Sequence, residues 1–170
     1  MIKISKVKLK DLNLNWVNWL NDPDVVKYSI QRKRKHSYNS QKKFLKKKLN
    51  IKSSILFKII YKKKFVGVIE IKNIDKINLV CEISYLIGEK ALWGNGIATK
   101  AVGIACKYSF NKLKIRNIIS CIMANNIGSK KVLKNNNFNY FGKIKDFYHF
   151  TNNKKIDKIY FVKKNEKNNN

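Results

Sequence analysis

A glycine-punctuated turn, Trp93-Gly94-Asn95-Gly96-Ile97-Ala98-Thr99, separates an apolar, strand-like run ending at Ile87 from an apolar-faced helical run that begins at Ala98. The first turn of a helix offers backbone N–H groups with no intrahelical acceptor, at the positive end of the helix dipole. Two glycines remove the Cβ atoms that would hold a phosphate away from that backbone. Such a turn can bind an anion, or it can be no more than a helix start. It is not a Walker loop, which needs GxxxxGK[ST], and Thr99 stands where a dinucleotide fingerprint needs a third glycine. Glu82 is an acid inside an otherwise apolar strand, a placement that desolvates a carboxylate and makes it a candidate general base. It could equally face solvent and pair with one of many lysines. Glu70, on the preceding strand, alternates to a similar face and is the alternative base. Arg32 and Arg34 lie two apart in the basic segment Tyr28–His36, and guanidinium forks suit phosphate or carboxylate.

The rest of the composition narrows the chemistry. Cys81, Cys106 and Cys121 are odd in number and contain no CxxC pair, which argues against a disulfide framework or structural zinc. Cys106 and Cys121 read as small core residues rather than nucleophiles. With only His36 and His149 besides, no metal centre is expected. The chain lacks 18 consecutive apolar residues and its start, MIKISKVKLK, has no signal-type apolar stretch. A reduced, cytoplasmic protein is expected. The formal net charge of +28 invites a nucleic-acid reading. Yet of the 38 basic residues only Arg32, Arg34 and Arg116 are arginine, and Lys, Asn and Ile share A/T-only codons. Base readers favour Arg or Asn/Gln forks, for which three arginines are poor equipment, and no zinc pair, aromatic RNA-binding strand or persuasive helix-turn-helix is present. Contact with nucleic acid is therefore expected to be incidental, driven by counter-ions and lost as salt rises.

These residues need elements to position them. The 170 residues, 44% hydrophobic, suit one domain over 1–164 with a disordered tail over 165–170. Residues 2–8 alternate as a strand, and Leu12, Trp16, Trp19 and Leu20 recur at helical spacing with the tryptophans in the core. Pro23 stops that helix at Asp22 and can start the next turn. Residues 29–39 form a polar basic loop. Ser40 is expected to cap a helix to about Leu49, with Phe44, Leu45 and Leu49 inward. Strands at 55–61 and 65–72 flank the turn Lys62-Lys63-Lys64, and a third runs from Leu79 to Ile87. A helix from Ala98 to about Leu113 follows the glycine turn. A strand Asn117–Ala124, a short helix Ile127–Lys134 and strands at 138–150 and 156–163 complete the order. The alternation predicts an α/β fold with a mixed sheet and helices on both faces, in which the strands ending at Ile87 and starting at Asn117 run parallel.

The sequence WGNGIATKAV, preceded by CEISYLIGE, resembles the acetyl-CoA pyrophosphate loop of the GNAT N-acetyltransferase superfamily, whose RimJ/RimL-type branch reads AEIGYWL…WGKGYATEA. Asn126-Ile127-Gly128-Ser129, with Leu133 and Phe138 following, resembles the family's N-x-x-S…L…GF segment, and WLNDPDVVKY is similar to that branch's W-x-N-D-P-E-V opening. The three matches stand in the family's order over most of residues 12–138. The resemblance implies a GNAT-like fold, a central twisted mixed sheet of about 6–7 strands flanked by about 4 helices. It implies acetyl-CoA as co-substrate, held by main-chain N–H groups over Trp93, Gly94, Asn95, Gly96, Ile97 and Ala98, with Thr99 closing the loop. Main-chain donors near Tyr85, Leu86 and Ile87 would face the developing oxyanion, and Asn126 and Ser129 would contact the pantetheine arm. Glu82 falls on the family's strand glutamate and would act as base. Ser129 would reprotonate the sulfur, or merely cap its helix. Many members place a tyrosine where this chain has Leu133, and Asn137 replaces a glycine that Asn can imitate in the left-handed conformation.

In this superfamily acceptor choice lies largely in the loop between the first two helices. Here that loop supplies Tyr28, Arg32, Arg34 and His36. The expected reaction is transfer of acetyl to a primary amine of a nucleotide-linked amino sugar or another small anionic amine, by direct attack in a ternary complex. The alternatives are a protein N-terminus as acceptor, a basic RNA-binding module, or a GNAT fold that senses acyl-CoA without turnover. No membrane partner is expected, and the protein would be a monomer or homodimer.

Overall fold

The computed structural model describes residues 1–150 and 153–166; positions 167–170 of the expected tail lie outside the described residues. Seven strands form one sheet: β1 (Ile2–Lys6), β2 (Ile55–Tyr61), β3 (Lys64–Asp75), β4 (Val80–Ile87), β5 (Asn117–Met123), β6 (Asn139–His149) and β7 (Lys155–Lys164). Their order across the sheet is β1-β2-β3-β4-β5-β7-β6. Each neighbouring pair is antiparallel except β4 and β5. That parallel pair is joined by α4 (Ile97–Asn111), the crossover the sequence predicts. Helices α1 (Leu14–Asn21), α2 (Pro23–Val26), α3 (Tyr38–Leu49) and α5 (Ile127–Lys134) complete the fold.

Strand alternation divides the apolar residues between two layers. On one face Ile69, Ile71, Ile83 and Ile118 pack with Ala101, Val102 and Ala105 of α4 and Leu133 of α5. On the other, Trp16, Trp19, Leu20 and Leu45 of α1 and α3 cover Leu56, Phe65, Val68 and Leu86. Trp16 and Trp19 both meet the Phe65 ring edge-on, at centroid distances of 5.4 and 5.3 Å. Helix α1 ends at Asn21 because Asp22 precedes a proline, and Pro23 then opens α2 with Asp22 as its cap, accepting from the Asp24 N–H at 2.9 Å.

Four local expectations are corrected. Helix α1 begins at Leu14, capped by Asn13, so Leu12 lies outside it although Leu12 is buried. Helix α3 is capped by Ser37, not Ser40; Ser40 sits at the third helical position and returns the bond to the Ser37 N–H at 3.0 Å. Consequently the buried residues of α3 are Gln41 and Leu45, while Phe44 and Leu49 face solvent. Residues 29–39 are not wholly loop, since Ile30–Lys33 wind into one 3-10 turn. At the C-terminal side, the Asn165 N–H donates to the Arg116 carbonyl at 2.9 Å, so ordered contacts run one residue beyond position 164.

Candidate active site

The site begins where β4 and β5 part. They pair only as Val80–Asn117, Cys81–Ile118 and Glu82–Ile119. Directly beyond, the buried Ser120 hydroxyl donates to the Ile83 carbonyl at 2.9 Å, capping the first acceptor that lost its strand partner. Farther along, the Trp93 indole N–H donates to the Ile87 carbonyl at 3.0 Å. The two-residue alternation of a strand puts the Tyr85 N–H and C=O on that same edge, between these two capped carbonyls. The Tyr85 amide therefore faces the gap, while Leu86 is in register with Val68 and sends its side chain into the α1 layer.

The glycine turn closes the far end of the gap. Lys90–Leu92 form a 3-10 turn, so the Trp93 N–H is committed to the Lys90 carbonyl at 3.0 Å and the Asn95 N–H to Leu92 at 3.4 Å. Gly94 and Gly96 take φ of +80° and +71°, and nothing lies within 4 Å of where a Cβ would be. Conformation, not space, demands glycine at both positions. Helix α4 starts at Ile97 without a side-chain cap, and its first internal bond runs from the Lys100 N–H to the Gly96 carbonyl at 3.0 Å. Among the described residues the N–H groups of Gly94, Gly96, Ile97, Ala98 and Thr99 have no protein acceptor. Five converging amides at the N-terminus of a fifteen-residue helix suit a pyrophosphate. The predicted donor set thus narrows by Trp93 and Asn95. Asn136 braces the turn, donating to both the Thr99 and Val132 carbonyls at 3.1 and 2.9 Å.

Helix α5 borders the same face. Asn126 caps it, accepting from the Ser129 N–H at 3.0 Å, so the Asn126 oxygen serves local order. The Tyr85 hydroxyl points to the Ser129 carbonyl at 3.4 Å, and burial pushes that phenol up to about 12, keeping its proton. The Ser129 side chain is a hydrogen-bond neighbour of that same phenol. Leu133 is fully buried in the core, so this position cannot present a reactive group.

Glu82 lies on the opposite face of β4. It does not stand alone in an apolar pocket: Lys72, its cross-strand neighbour, pairs with it at 3.0 Å, and Asn73 donates to it at 3.3 Å. The Cys121 thiol donates to it at 3.4 Å, and burial pushes that thiol up, so it remains a donor. Glu70 shares this face but is spent on structure, paired with Lys48 of α3 and accepting from the Ser54 hydroxyl at 2.8 Å. Beside Cys121, β7 contributes Tyr160 in register and Lys158 two residues away. Burial raises the Tyr148 phenol of β6 above its ordinary value; Cys121 and Tyr160 add to this, and Lys158 and Arg32 oppose it.

The acceptor loop divides. The Arg32 guanidinium lies 4.3 Å from the Phe150 ring centroid and donates to the Ser29 carbonyl at 2.8 Å, which brings it to the Tyr148 side of the sheet. His36 is held by its own surroundings: its Nε2 meets the Gln31 carbonyl at 3.1 Å and its Nδ1 meets the Gln41 amide at 2.7 Å. Asn21 clamps the His36 backbone from both sides, at 2.8 Å each. Arg34 is exposed, and Tyr28 is partly buried beside Lys27, 5.6 Å from its ring. The sequence reading missed Lys72, Ser120, Tyr148, Phe150 and Lys158. Ser120 alone carried a signal, as a lone hydroxyl at a core-facing position of an apolar strand.

A splayed parallel pair with a free-amide loop at one end is the architecture of a protein that seats a phosphorylated arm between two strands. The Acetyltransferase (GNAT) domain profile matches residues 2–139. The chain belongs to the GNAT acetyltransferase family. It is 27% identical over 132 residues to the acetyltransferase PseH of Campylobacter jejuni subsp. jejuni serotype O:23/36 (strain 81-176), covering 77% of this chain and 79% of that protein. It is 29% identical over 103 residues to YdaF of Bacillus subtilis (strain 168), a candidate ribosomal N-acetyltransferase, covering 61% of this chain and 55% of that one. The structure of a spermidine N-acetyltransferase from Vibrio cholerae, in complex with CoA and spermine, superposes with a TM-score of 0.85 over 96% of this chain and 95% of that one, at 18% identity. That likeness establishes the fold. As a GNAT acetyltransferase, this protein is an acyltransferase that uses acetyl-CoA to acetylate an amine. The described residues contain no His, Cys, Asp and Glu group fit for a metal, and no helix long and apolar enough to cross a membrane.

Proposed function

We propose that this GNAT enzyme is of the RimJ/RimL type and acetylates a primary amine on a small anionic molecule, a nucleotide-linked amino sugar being the favoured class. The observation that carries the reading is the parting of β4 and β5 immediately after Glu82. The free amides at the start of α4 border that opening and the Glu82 carboxylate lies on the opposite face, so donor and acceptor can meet across one strand. Acetyl-CoA would supply the activated acyl group, with its pyrophosphate on the Gly94 and Gly96–Thr99 amides. The Tyr85 N–H would stabilise charge on the reacting carbonyl oxygen. An attacking amine must shed one proton, and Glu82 would take it directly or through a water. The departing sulfur needs one, which the Ser129 hydroxyl beside Tyr85 would relay from water. Arg32 would meet an anionic part of the acceptor, with Tyr28, Arg34 and His36 shaping the loop around it.

A second reading draws on the exposed Lys33, Arg34 and Lys35, which would suit an acidic peptide N-terminus, and on the likeness to YdaF. Nucleic acid is not the acceptor in either reading.

Calorimetric titration of acetyl-CoA at about 0.15 M salt, where the screening length is about 8 Å, tests the first half. Saturable binding that Gly96→Glu weakens by at least about tenfold supports the loop assignment, since the variant adds an anion where one must bind. Release of free thiol with amino sugars but not with peptides then decides between the acceptors. Turnover confined to peptides overturns the first reading.

A further inference from the structure

We infer that Lys158 and Arg32 together grip the anionic group of the acceptor, and that they set a preference for amines carrying phosphate or carboxylate over polyamines. The inference rests on the small-anionic-amine reading above.

The two cations come from distant parts of the chain and converge on one face. Arg32 sits over Phe150 at 4.3 Å. Lys158 sits over Phe147 at 4.4 Å and over Tyr160 at 5.0 Å. All three rings belong to the β6–β7 hairpin or its turn. A solvated lysine or arginine loses rotamer freedom when it binds an anion; one already seated on aromatic rings has lost much of it beforehand. Neither cation is neutralised. The ion pairs of the described residues engage Lys48, Lys58, Lys72, Lys90 and Lys143, and none engages Arg32 or Lys158. Among the lysines of the described residues, Lys158 is distinguished by being part-buried, ring-held and without an acid.

The location ties the pair to the chemistry. Lys158 interacts with Cys121, and the Cys121 thiol donates to Glu82. Tyr148 is in register with Ile156, two residues before Lys158 on β7, and stands two residues before Phe150, which carries Arg32, so the hairpin sets Tyr148 beside both cations. An acceptor whose amine reaches Glu82 would therefore hold the rest of its body against Tyr148, Phe147 and Tyr160, with an anionic group at the two cations. Planar rings suit a sugar or nucleoside face, and the fork of Arg32 suits phosphate oxygens. A polyamine would meet the same two unneutralised cations, and Glu82, the carboxylate of the cluster, is already paired with Lys72.

The test measures kcat/KM by thiol release for a UDP-linked amino sugar, the corresponding unphosphorylated amino sugar and spermidine. Wild type, Lys158→Met, Arg32→Gln and Lys158→Arg are compared, with acetyl-CoA calorimetry as the check on folding. Wild type is expected to favour the phosphorylated amine over both others by at least about tenfold, the scale of one charge-assisted contact. That ratio is expected to fall by about tenfold in Lys158→Met and in Arg32→Gln, through KM, and to survive in Lys158→Arg. Should Lys158→Met not fold, Arg32→Gln carries the comparison. An unchanged ratio in the neutral variants, or spermidine preferred by wild type, overturns the inference while leaving the enzyme an acetyltransferase of small amines. Wild type that binds acetyl-CoA yet acetylates none of the three overturns the acceptor reading, and the inference falls with it.

Discussion

Gly88, the residue after β4, is packed directly against Trp19 of α1: a Cβ at position 88 would fall inside the Trp19 indole, overlapping Cγ, Cδ2 and Cε2. The Gly88 N–H also donates to the Val66 carbonyl at 2.9 Å, which holds the Gly88 backbone in place. Helix α1 thus fixes the direction in which the chain leaves β4 and enters the glycine turn. The family-like WLNDP opening has a second anchor here. Asp22 and Asp24 both pair with Lys90 of the 3-10 turn, at 2.9 and 3.0 Å. Those pairs are exposed and contribute little stability, leaving the Trp19–Gly88 contact as the stronger determinant.

Gly88→Ala should therefore destabilise the protein by about 1–3 kcal/mol, the usual cost of overpacking a rigid site. It should also weaken acetyl-CoA binding, because the displaced segment leads straight into Gly94. Combining it with Trp19→Phe, which shortens the indole, should recover part of the loss, giving a coupling of at least about 0.5 kcal/mol in a double-mutant cycle. Strictly additive urea midpoints would show that the two residues do not constrain one another.

Local rules made much of this legible. Gly94 and Gly96 stand out because they flank a helix start, and both adopt the positive φ that two glycines permit. Asp22-Pro23 ends one helix and starts another for steric reasons that act within three residues. Asn137 adopts φ +58° in place of a glycine, as its side chain allows. What stayed hidden depends on register. Lys158 is one of many lysines in the sequence, and it acquires a role only because β7 pairs with β5 so that Cys121 opposes Tyr160. No periodicity within either strand encodes that pairing. Glu82 was visible as an acid in an apolar strand, but Lys72 was not visible as its partner, because the pairing shifts register between Lys72 and Asp75 and counting back from the four-residue β3–β4 turn does not give it. His36 looked like a ligand-binding group for the same reason: Gln31 lies nearby in sequence, yet Asn21 and Gln41 clamp it from two helices.

The two glutamates of the acceptor face should separate cleanly. Glu82→Gln removes the proposed base and is expected to lower kcat by about 10²–10³, within the usual range for general-base loss, with acetyl-CoA affinity nearly unchanged. Glu70→Gln breaks the Lys48 pair and weakens the Ser54 bond, so it should lower the unfolding midpoint while changing kcat less than about threefold. Pre-steady-state thiol release and denaturant melts on both variants provide the readouts. Equal loss of kcat in the two would move the catalytic role off Glu82.

Backbone strain offers a stabilising change remote from the site. Tyr61 and Lys64 close a two-residue hairpin whose central residues, Lys62 and Lys63, both have positive φ (46° and 64°). Asn-Gly is the pair such a turn prefers, and an ordinary side chain in the left-handed region costs about 1–2 kcal/mol. Lys62→Asn combined with Lys63→Gly should raise stability by about 1 kcal/mol and leave kcat/KM untouched. A lowered urea midpoint would mean that the lysines contribute contacts outweighing their strain.

The charge of the surface can be separated from the charge of the site by salt. With a net charge of +28, adsorption of RNA is expected at low ionic strength, driven by released counter-ions, with a steep fall as salt rises. In the proposed site acetyl-CoA would be gripped by backbone amides, whose dipoles do not exchange counter-ions. Its affinity should fall far less between about 0.05 and 0.2 M salt, where a surface making several phosphate contacts loses about 10³-fold or more. Parallel binding curves for a short RNA and for acetyl-CoA measure both slopes on one preparation. RNA retained at the upper salt with a shallow slope would mean a built nucleic-acid site rather than a composition effect, and the lysine faces would then need residues of their own to explain it.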